Sequence, residues 1–199
     1  MKSIDITPRY LAAIDYARTA HAGQVRKGTT VPYFGHLIGV SSLVLDFGGD
    51  EDQAIAGLLH DVLEDCGAHH LPLVRDRFGE RVAAIVSDCT DGTSEDKAKA
   101  TTPQAKRANW KERKERYLDH LAHVSNDTLL VSGCDKLHNL RAIVSDLRDP
   151  KVGKAVFERF TAGREGTQWY YASLVKVLAD RGHKASAELQ ATMKELLTA

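Results

Sequence analysis

The chain has 199 residues, of which 43% are hydrophobic and 27% are charged, so it is long enough to bury one sizeable core and resembles an ordinary soluble globular protein in composition. Its 27 basic and 27 acidic residues leave a formal net charge of +0, which predicts neither a nucleic-acid nor a membrane partner, although a local basic patch could still bind phosphate. No apolar run approaches the roughly 20 residues of a membrane span, and the N-terminal segment MKSIDITPRY lacks the apolar region of a signal peptide. Without a CxxC motif, the cysteines indicate reduced thiols in the cytoplasm: Cys66, Cys89 and Cys134.

The first half of the chain is predicted to form helices joined by short loops. Thr7 followed by Pro8 is typical of a helix N-cap with proline at the first helical position. The segment GTTVPYFG has no helical period and is predicted to be a loop, after which a second helix begins near His36. Asp50 and Gln53 form the pattern of a capping box at the start of a third helix.

The second half is also predicted to be helical, with one polar interruption. Residues 91–105 are rich in turn-forming residues and are predicted to be a mobile surface loop. Pro150 marks a break, and two or three further helices follow it. The other helical segments are predicted near Leu71–Arg77 and over 80–89, 106–124 and 128–147. No alternating strand pattern, repeat or linker is visible, so we predict an all-α fold in a single domain over residues 1–199.

The most informative segment is GLLHDVLED, which contains His60, Asp61, Glu64 and Asp65. On a continuous α-helix these side chains would share an arc of roughly 140°, with apolar residues on the opposite side. Neighbouring carboxylates repel one another, and their burial is costly unless a counter-charge is present. A divalent metal would supply that charge; the alternative is a solvated acidic surface with a capping histidine.

Three further places contain candidate chemistry. His36 follows the predicted loop, where a histidine is either a ligand or simply a cap or core residue. Asp135 lies near the apolar side of a predicted helix, which is an unusual position for an acid, and Asn139 follows it by one turn. Arg26 and Lys27 form a basic pair that either is a solvated surface or binds a phosphate.

Two imidazoles and two carboxylates suit Mn²⁺, Fe²⁺, Zn²⁺ or Mg²⁺ with open positions for water and substrate. The order of these four residues and the sequence motifs around them resemble those of the HD-domain superfamily of metal-dependent phosphohydrolases. Within it, the segments AHAGQVRKGTTVPYFGHLIGV, AGLLHDVLED and DKLHNLR resemble the hydrolase domain of RelA/SpoT homologues, which degrade the alarmone (p)ppGpp. The resemblance covers roughly residues 8–180 and implies an all-α HD-domain helical bundle that acts as a stand-alone small alarmone hydrolase.

The resemblance implies a role for each matching residue. The metal ligands are His36, His60, Asp61 and Asp135, and Mn²⁺ is the implied metal. The catalytic acidic pair is Glu64 and Asp65. The residues that bind the guanosine nucleotide are Arg26, Lys27 and Asn139. The implied reaction is hydrolysis of the 3′-diphosphate, which converts (p)ppGpp to GDP or GTP with release of intact pyrophosphate.

The chain departs from the sequence motifs of the family at several positions. Leu37 stands where the family usually has proline, and Ala142 where it often has threonine, while Tyr170 or Tyr171 stands in for a family tyrosine near the substrate. These departures concern substrate preference more than the metal site. Two alternatives therefore stay open: another HD-domain nucleotide phosphohydrolase, acting on nucleoside 5′-monophosphates or on NADPH and other 2′- or 3′-phosphorylated nucleotides, or a non-catalytic alarmone-binding module. The sequence predicts no oligomeric state.

Overall fold

A computed structural model describes residues 5–92 and 101–198 of the chain. Within these ranges the backbone is helical apart from turns, loops and one isolated β-bridge between Val25 and Pro32, so the predicted all-α fold is confirmed. The described residues fall into two compact units. One contains residues 5–92 and Ser125–Asp135, and the other contains residues 101–124 and 136–198.

The first unit is built mainly from helices of the N-terminal half. They are α1 (Pro8–Ala20), α2 (Phe34–Asp46), α3 (Glu51–Leu59), a π-helix (Val62–Cys66), α4 (His70–Phe78) and α5 (Glu80–Cys89). The residues up to Asp135 of α7 (Asn126–Arg148) also belong to it. Its core is formed by aliphatic side chains that are fully buried, among them Leu37, Val40, Ile55, Leu58 and Leu59.

The caps predicted in this unit are present. The Thr7 hydroxyl accepts a hydrogen bond from the backbone N–H of Arg9, and Pro8 occupies the first helical position of α1. At the start of α3, Asp50 and Gln53 form the reciprocal capping box, with each side chain accepting from the other residue's backbone N–H. Because both ends of this box are satisfied, the beginning of α3 is fixed, and this helix leads directly to the central motif.

Close contact between α2 and α3 depends on a glycine of that motif. A Cβ atom built on Gly57 would lie 3.1 Å from Cα and 3.3 Å from the backbone nitrogen of Ser41. The Ser41 hydroxyl donates a 2.8 Å hydrogen bond to the Ala54 carbonyl, which joins the same two helices. The absence of a side chain at Gly57 therefore lets the two backbones approach, and this brings the ends of α2 and α3 into one site.

The second unit contains the remaining helices. They are α6 (Pro103–Leu121), the rest of α7, a 3₁₀-helix (Gly153–Arg159), α8 (Gly163–Asp180) and α9 (Ser186–Thr198). The guanidinium of Arg181 donates to the carbonyls of Leu121, Ala122 and Val124, which ties the end of α8 to the end of α6. As expected from Pro150, α7 ends just before it.

The prediction of a loop over residues 91–105 is wrong at the C-terminal end of that range. Thr102 caps α6 by accepting from the backbone N–H of Ala105, and Pro103 starts the helix, so the last three residues of the expected loop are helical. The reason is the Thr-Pro pair, which is the same N-terminal signal as in α1. Residues 93–100 of the expected loop lie outside the described residues. Over residues 5–92 and 101–198, no helix combines the length and apolar character needed to cross a membrane.

Candidate active site

Four residues predicted from the sequence as metal ligands lie together in the first unit. His36 is in the first turn of α2, His60 and Asp61 directly follow α3, and Asp135 lies within α7. The two histidines are each 2% exposed and Asp135 is 4% exposed. The alternative of a solvated acidic surface with a capping histidine concerns His60, Asp61, Glu64 and Asp65. It does not fit the buried His60, whereas Asp61 and Glu64 are half-buried and Asp65 is exposed.

The distances among the four side chains are those of a compact cluster. One ligand atom from each of His36, His60 and Asp135 lies within 4.8 Å of the others. Nε2 of His36 is 3.2 Å from Oδ1 of Asp135 and 3.7 Å from Oδ2 of Asp61, and Nε2 of His60 is 2.9 Å from the same Asp61 oxygen. The two imidazoles and the Asp135 carboxylate are thus placed to hold one metal ion, and the half-buried Asp61 carboxylate lies beside both histidines.

The orientation of His60 fits a metal ligand. Its Nδ1 donates a 2.8 Å hydrogen bond to the Gly57 carbonyl, which assigns the ring proton to Nδ1 in the neutral form and leaves a lone pair on Nε2. That Nε2 atom is buried and has no hydrogen-bond partner among the described residues. Backbone anchoring of the other ring nitrogen is the usual arrangement in metal-binding histidines. With neutral imidazoles, the two carboxylates carry two negative charges, which a divalent cation would balance.

The pKa values at the cluster indicate the same demand for positive charge. Burial alone would lower the pKa of His60, but the carboxylates of Asp61 and Asp135 raise it well above its usual value. Burial alone would likewise raise the pKa of Asp61, but the neighbouring His60 lowers it well below its usual value. In the absence of a cation, a proton on His60 therefore takes the place of the positive charge that the carboxylates favour.

Tyr33 is part of this site, although it was not predicted from the sequence. Its hydroxyl donates a 2.5 Å hydrogen bond to Oδ2 of Asp61. Burial, followed by the negative charge of Asp61, raises the pKa of Tyr33 far above its usual value, so the hydroxyl stays a donor at every physiological pH. The phenol therefore orients one of the candidate ligands, and the only sequence signal was its place in PYFGH, three residues before His36.

The acidic pair lies on a π-helix, which corrects the expectation of one continuous α-helix through the motif. The α-helix ends at Leu59, and Glu64 and Asp65 lie in the π-helical turn Val62–Cys66. The π-helix ends at Cys66 and is followed by Gly67, whose φ of +117° suits a glycine. A π-turn adds one residue to the turn, so the α-helical spacing used for the sequence prediction does not hold for these two acids.

A glutamine that was not predicted contacts one member of the acidic pair. Nε2 of Gln24 donates a 2.8 Å hydrogen bond to Oδ2 of Asp65. Glu64 is partly buried and Asp65 is exposed, so the pair lies between the buried cluster and the solvent. The π-turn is therefore the part of the motif at which a solvent molecule or a substrate could reach a carboxylate.

The predicted basic pair lies in the loop that leads to α2. The backbone N–H of Arg26 donates to the Val31 carbonyl at 2.8 Å, and this closes a turn around Lys27 and Gly28. Among the residues that the structure describes, the side chains of Arg26 and Lys27 form no ion pair. Two cations without an ion pair among the described residues suit either a solvated surface or an anionic ligand, so both interpretations of this pair stay open.

The other predicted nucleotide contact lies in the second unit. Asn139 is half-buried in α7, four residues after Asp135. Also in this unit, two cations of α6 contact other side chains. Arg113 is 7% exposed and its Nε donates to the Asn109 side chain, and the Lys114 ammonium lies 4.9 Å from the centre of the Tyr170 ring.

Two known proteins are similar to this chain in sequence. A guanosine-3′,5′-bis(diphosphate) 3′-pyrophosphohydrolase, MESH1 of Xenopus tropicalis, is 36% identical over 134 residues, which cover 66% of this chain and 67% of that protein. A guanosine-3′,5′-bis(diphosphate) 3′-pyrophosphohydrolase of Haemophilus influenzae is 31% identical over 132 residues, which cover 65% of this chain but 18% of that protein. The chain thus spans less than a fifth of the bacterial relative.

Solved structures are similar over most of the chain. One, described as a metazoan ortholog of SpoT that hydrolyzes ppGpp, aligns with a TM-score of 0.71 and 29% identity over 98% of this chain and 97% of the other. A protein from Listeria monocytogenes shares the fold, with a TM-score of 0.66 and 22% identity over 82% of this chain and 99% of the other. Residues 13–168 match the HD domain family. The chain, with its buried histidine and aspartate cluster, belongs to the HD-domain family.

Proposed function

We propose that this protein hydrolyses the 3′-diphosphate of guanosine alarmones, converting ppGpp to GDP and pppGpp to GTP, each with one pyrophosphate. The observation that carries the proposal is the cluster of buried His36, His60 and Asp135 with the half-buried Asp61, followed in the chain by Glu64 and Asp65 in the π-turn. A relative that is 36% identical and a structure that aligns over 98% of the chain are both described as acting on this substrate.

The proposed metal ligands are His36, His60, Asp61 and Asp135, and the proposed metal is Mn²⁺. Mixed nitrogen and carboxylate donors suit Mn²⁺, whereas Ca²⁺ prefers oxygen ligands only. When bound, a divalent cation would polarise a phosphoryl oxygen and acidify water. The chain's own contribution is to orient the ligands: the Gly57 carbonyl fixes His60, and the Tyr33 hydroxyl fixes Asp61.

The proposed catalytic residues are Glu64 and Asp65. One carboxylate takes a proton from the attacking water, whose oxygen forms a bond to the phosphorus attached to the 3′ oxygen. The bond between that phosphorus and the 3′ oxygen of the ribose breaks, and the 3′ oxygen receives a proton. The products are pyrophosphate and a nucleotide with a free 3′ hydroxyl, so the atoms of one water molecule are divided between them.

Arg26, Lys27 and Asn139 are the proposed substrate-binding residues. The two cations form no ion pair among the described residues, so they are available to offset phosphate charge that develops as the bond breaks. Asn139 is proposed as a contact to the nucleoside because it lies in the segment DKLHNLR, which matches a sequence motif of the family. The proposed partner is thus a small guanosine nucleotide rather than a nucleic acid or a membrane.

We further propose that residues 1–199 form a single HD-type phosphohydrolase domain that works in the cytoplasm. The match to the HD family runs from residue 13 to residue 168 and so includes residues of both compact units. The three cysteines are all thiols, and such a set is usual in a reducing compartment: Cys66, Cys89 and Cys134.

A substrate screen with product analysis tests the function. Purified protein that has been treated with chelator and reloaded with Mn²⁺ is given ppGpp, NADPH and GMP separately, and the products are resolved by anion exchange, with pyrophosphate assayed directly. We expect GDP and pyrophosphate in equal amounts from ppGpp, with GMP and NADPH unchanged. Orthophosphate as the first product, or turnover of GMP or NADPH at a comparable rate, would favour another nucleotide phosphohydrolase. Binding of ppGpp without turnover would favour the non-catalytic module.

A further inference from the structure

We propose that Gln24 is a positioning residue for Asp65, and that His21 holds Gln24 in the orientation that this requires. The proposal rests on the proposed function, in which Asp65 belongs to the catalytic pair. Its basis is a chain of hydrogen bonds within the first unit. Asp65 accepts from Gln24 at 2.8 Å, and Oε1 of Gln24 lies 2.7 Å from Nδ1 of His21.

The chemistry of these contacts leaves one orientation of the amide. A carboxylate only accepts hydrogen bonds, so the NH₂ group of Gln24 must face Asp65. The amide oxygen then faces His21, and His21 must carry its proton on Nδ1 in order to donate to that oxygen. The opposite orientation of the amide would bring two oxygens together at Asp65.

The backbone of Gln24 is fixed as well as its side chain. Its N–H donates to the His21 carbonyl at 3.1 Å, and its carbonyl accepts from the Tyr33 N–H at 2.9 Å. Both bonds lie at the end of α1 and in the loop before α2, which is the segment that also contains Arg26. Since the main chain on both sides of Gln24 is bonded, the amide is presented to Asp65 from a rigid base.

His21 is buried where it can act as that anchor. It is 3% exposed, and its ring stacks on the ring of Tyr33 with the centroids 5.5 Å apart and an interplanar angle of 26°. Sγ of Cys66 lies 3.6 Å from Nδ1 of the ring, and the thiol donates to the Ala20 carbonyl at 3.3 Å. Asp65 is adjacent to Cys66, so the same π-turn touches both the imidazole and the amide.

The network links the acidic pair to the metal ligands through protein groups. Tyr33 contacts His21 on its ring face and donates to Asp61 through its hydroxyl at 2.5 Å. Asp65 and Asp61 are therefore both held from the segment 21–33, one by the amide of Gln24 and the other by the phenol of Tyr33. This arrangement keeps the exposed carboxylate of Asp65 on the π-turn in a fixed position relative to a proposed metal ligand, Asp61, which is what proton transfer to or from a bound water requires.

The test replaces Gln24 by glutamate. Gln24→Glu keeps the shape and an oxygen that accepts from His21, but it replaces the donor to Asp65 by a second carboxylate. We expect kcat to fall by about 10- to 100-fold, with KM and Mn²⁺ affinity within about twofold of the unchanged protein. In an Asp65→Asn background the same substitution should cause little further loss of kcat, because Gln24 acts through Asp65.

Gln53→Glu is a matched control, because Nε2 of Gln53 also donates to an aspartate, Asp127, at 3.0 Å, but outside the proposed site. It is expected to lower stability and to leave kcat unchanged. A readout that is independent of activity is the ¹⁵N NMR tautomer of His21. We expect the proton on Nδ1 in the unchanged protein and in Gln24→Glu, and loss of that fixed tautomer in Gln24→Ala.

Each outcome is decisive. Near-normal kcat in Gln24→Glu, a kcat loss that multiplies with that of Asp65→Asn, or a proton on Nε2 of His21 in the unchanged protein would overturn the positioning role. If the unchanged protein does not hydrolyse ppGpp but does hydrolyse NADPH or GMP, the proposed function is wrong. The role of Gln24 is then tested with the same variants on the nucleotide that is hydrolysed. If no nucleotide is hydrolysed, both proposals are overturned.

Discussion

The hydroxyl of Tyr33 donates a 2.5 Å hydrogen bond to Oδ2 of Asp61, the oxygen that also lies 2.9 Å from Nε2 of His60. The phenol therefore holds the same carboxylate oxygen that lies beside the histidine. Tyr33 lies in the loop that carries the basic pair, so one short segment between α1 and α2 shapes both the metal cluster and the turn proposed to bind phosphate.

Tyr33→Phe should weaken metal binding without unfolding the protein. The ring remains to stack on His21, but Asp61 loses a donor, and loss of such a partner typically costs about 10- to 100-fold in metal affinity. Calorimetric titration with Mn²⁺ measures the change. Tyr10→Phe is the control, because it removes a hydroxyl that lies 2.7 Å from Oγ of Ser41 and makes no hydrogen bond to a proposed ligand among the described residues. Equal Mn²⁺ affinity in the two variants would contradict the role of Tyr33.

Glu64→Gln and Asp65→Asn should each lower kcat strongly while Mn²⁺ still binds. Neither residue is a proposed ligand, and a general acid or base contributes about 10²- to 10⁴-fold to the rate. Steady-state kinetics on ppGpp and calorimetry with Mn²⁺ separate the two properties. Asp15→Asn serves as a control, because Asp15 only pairs with Arg18 on the exposed side of α1. If both site variants keep nearly full turnover, the acidic pair is not catalytic.

Mn²⁺ affinity should rise with pH in the neutral range. The carboxylates of Asp61 and Asp135 raise the pKa of His60 well above its usual value in spite of its burial, so the cation must displace a proton. Below that raised pKa, each decrease of one pH unit should lower the apparent Mn²⁺ affinity by about tenfold if one proton is displaced. Calorimetry in buffers of different ionisation enthalpy counts the protons released. An affinity that does not change between about pH 6 and 8, with no proton release, would contradict this interpretation.

The same groups predict the pH dependence of stability without metal. Because the pKa of His60 is raised on folding, its contribution is fully present below its usual value of 6.5 and is lost as pH rises through the folded value. Because the pKa of Asp61 is lowered on folding, its contribution is present above its usual value of 3.8 and is lost as pH falls through the folded value. Urea unfolding of chelated protein should therefore show the pair at full strength between these two usual values. His60→Gln should flatten the decline at high pH.

Local signals explain why much of the fold could be predicted. The Asp50 and Gln53 capping box, the Thr7 and Pro8 start of α1 and the helix over Glu80–Cys89 all depend on residues within one or two turns, and all are found as predicted. The start of α6 shows the limit of this reasoning. The same Thr-Pro signal stands at Thr102, but the polar composition around it favoured a loop.

Site residues could be predicted only where a chemically suitable residue type lies within a sequence motif of the family. His36, His60 and Asp135 lie on different elements, and their spacing alone does not require that they meet; the resemblance supplied that. Tyr33 and Gln24 lie within the matching segment AHAGQVRKGTTVPYFGHLIGV, but nothing local assigns either a role, because each acts on a residue at least 28 positions away through a loop whose course is set by tertiary structure. The π-turn was missed because helical periodicity in a short motif does not distinguish it from an α-turn.

Two glycine substitutions should change stability in opposite directions. In Gly57→Ala the new Cβ would lie 3.1 Å from Cα of Ser41, and backbone atoms of a buried helix cannot yield as a flexible side chain does. We expect a loss of about 1–3 kcal/mol in the free energy of unfolding. In Gly35→Ala the new Cβ meets nothing within 4 Å, so the variant should gain about 0.5–1 kcal/mol from the better helix former. Urea unfolding of chelated protein compares the two.

The Gly57 variant should also affect the metal site, because its carbonyl accepts from Nδ1 of His60 at 2.8 Å. If α3 moves away from α2 to admit the methyl group, this carbonyl moves with it, and the imidazole is no longer held in the orientation that presents Nε2 to the cluster. Mn²⁺ affinity should therefore be lower in folded Gly57→Ala, measured without urea, than in the unchanged protein. Unchanged stability and unchanged Mn²⁺ affinity in this variant would show that α2 and α3 do not depend on the close approach at this glycine.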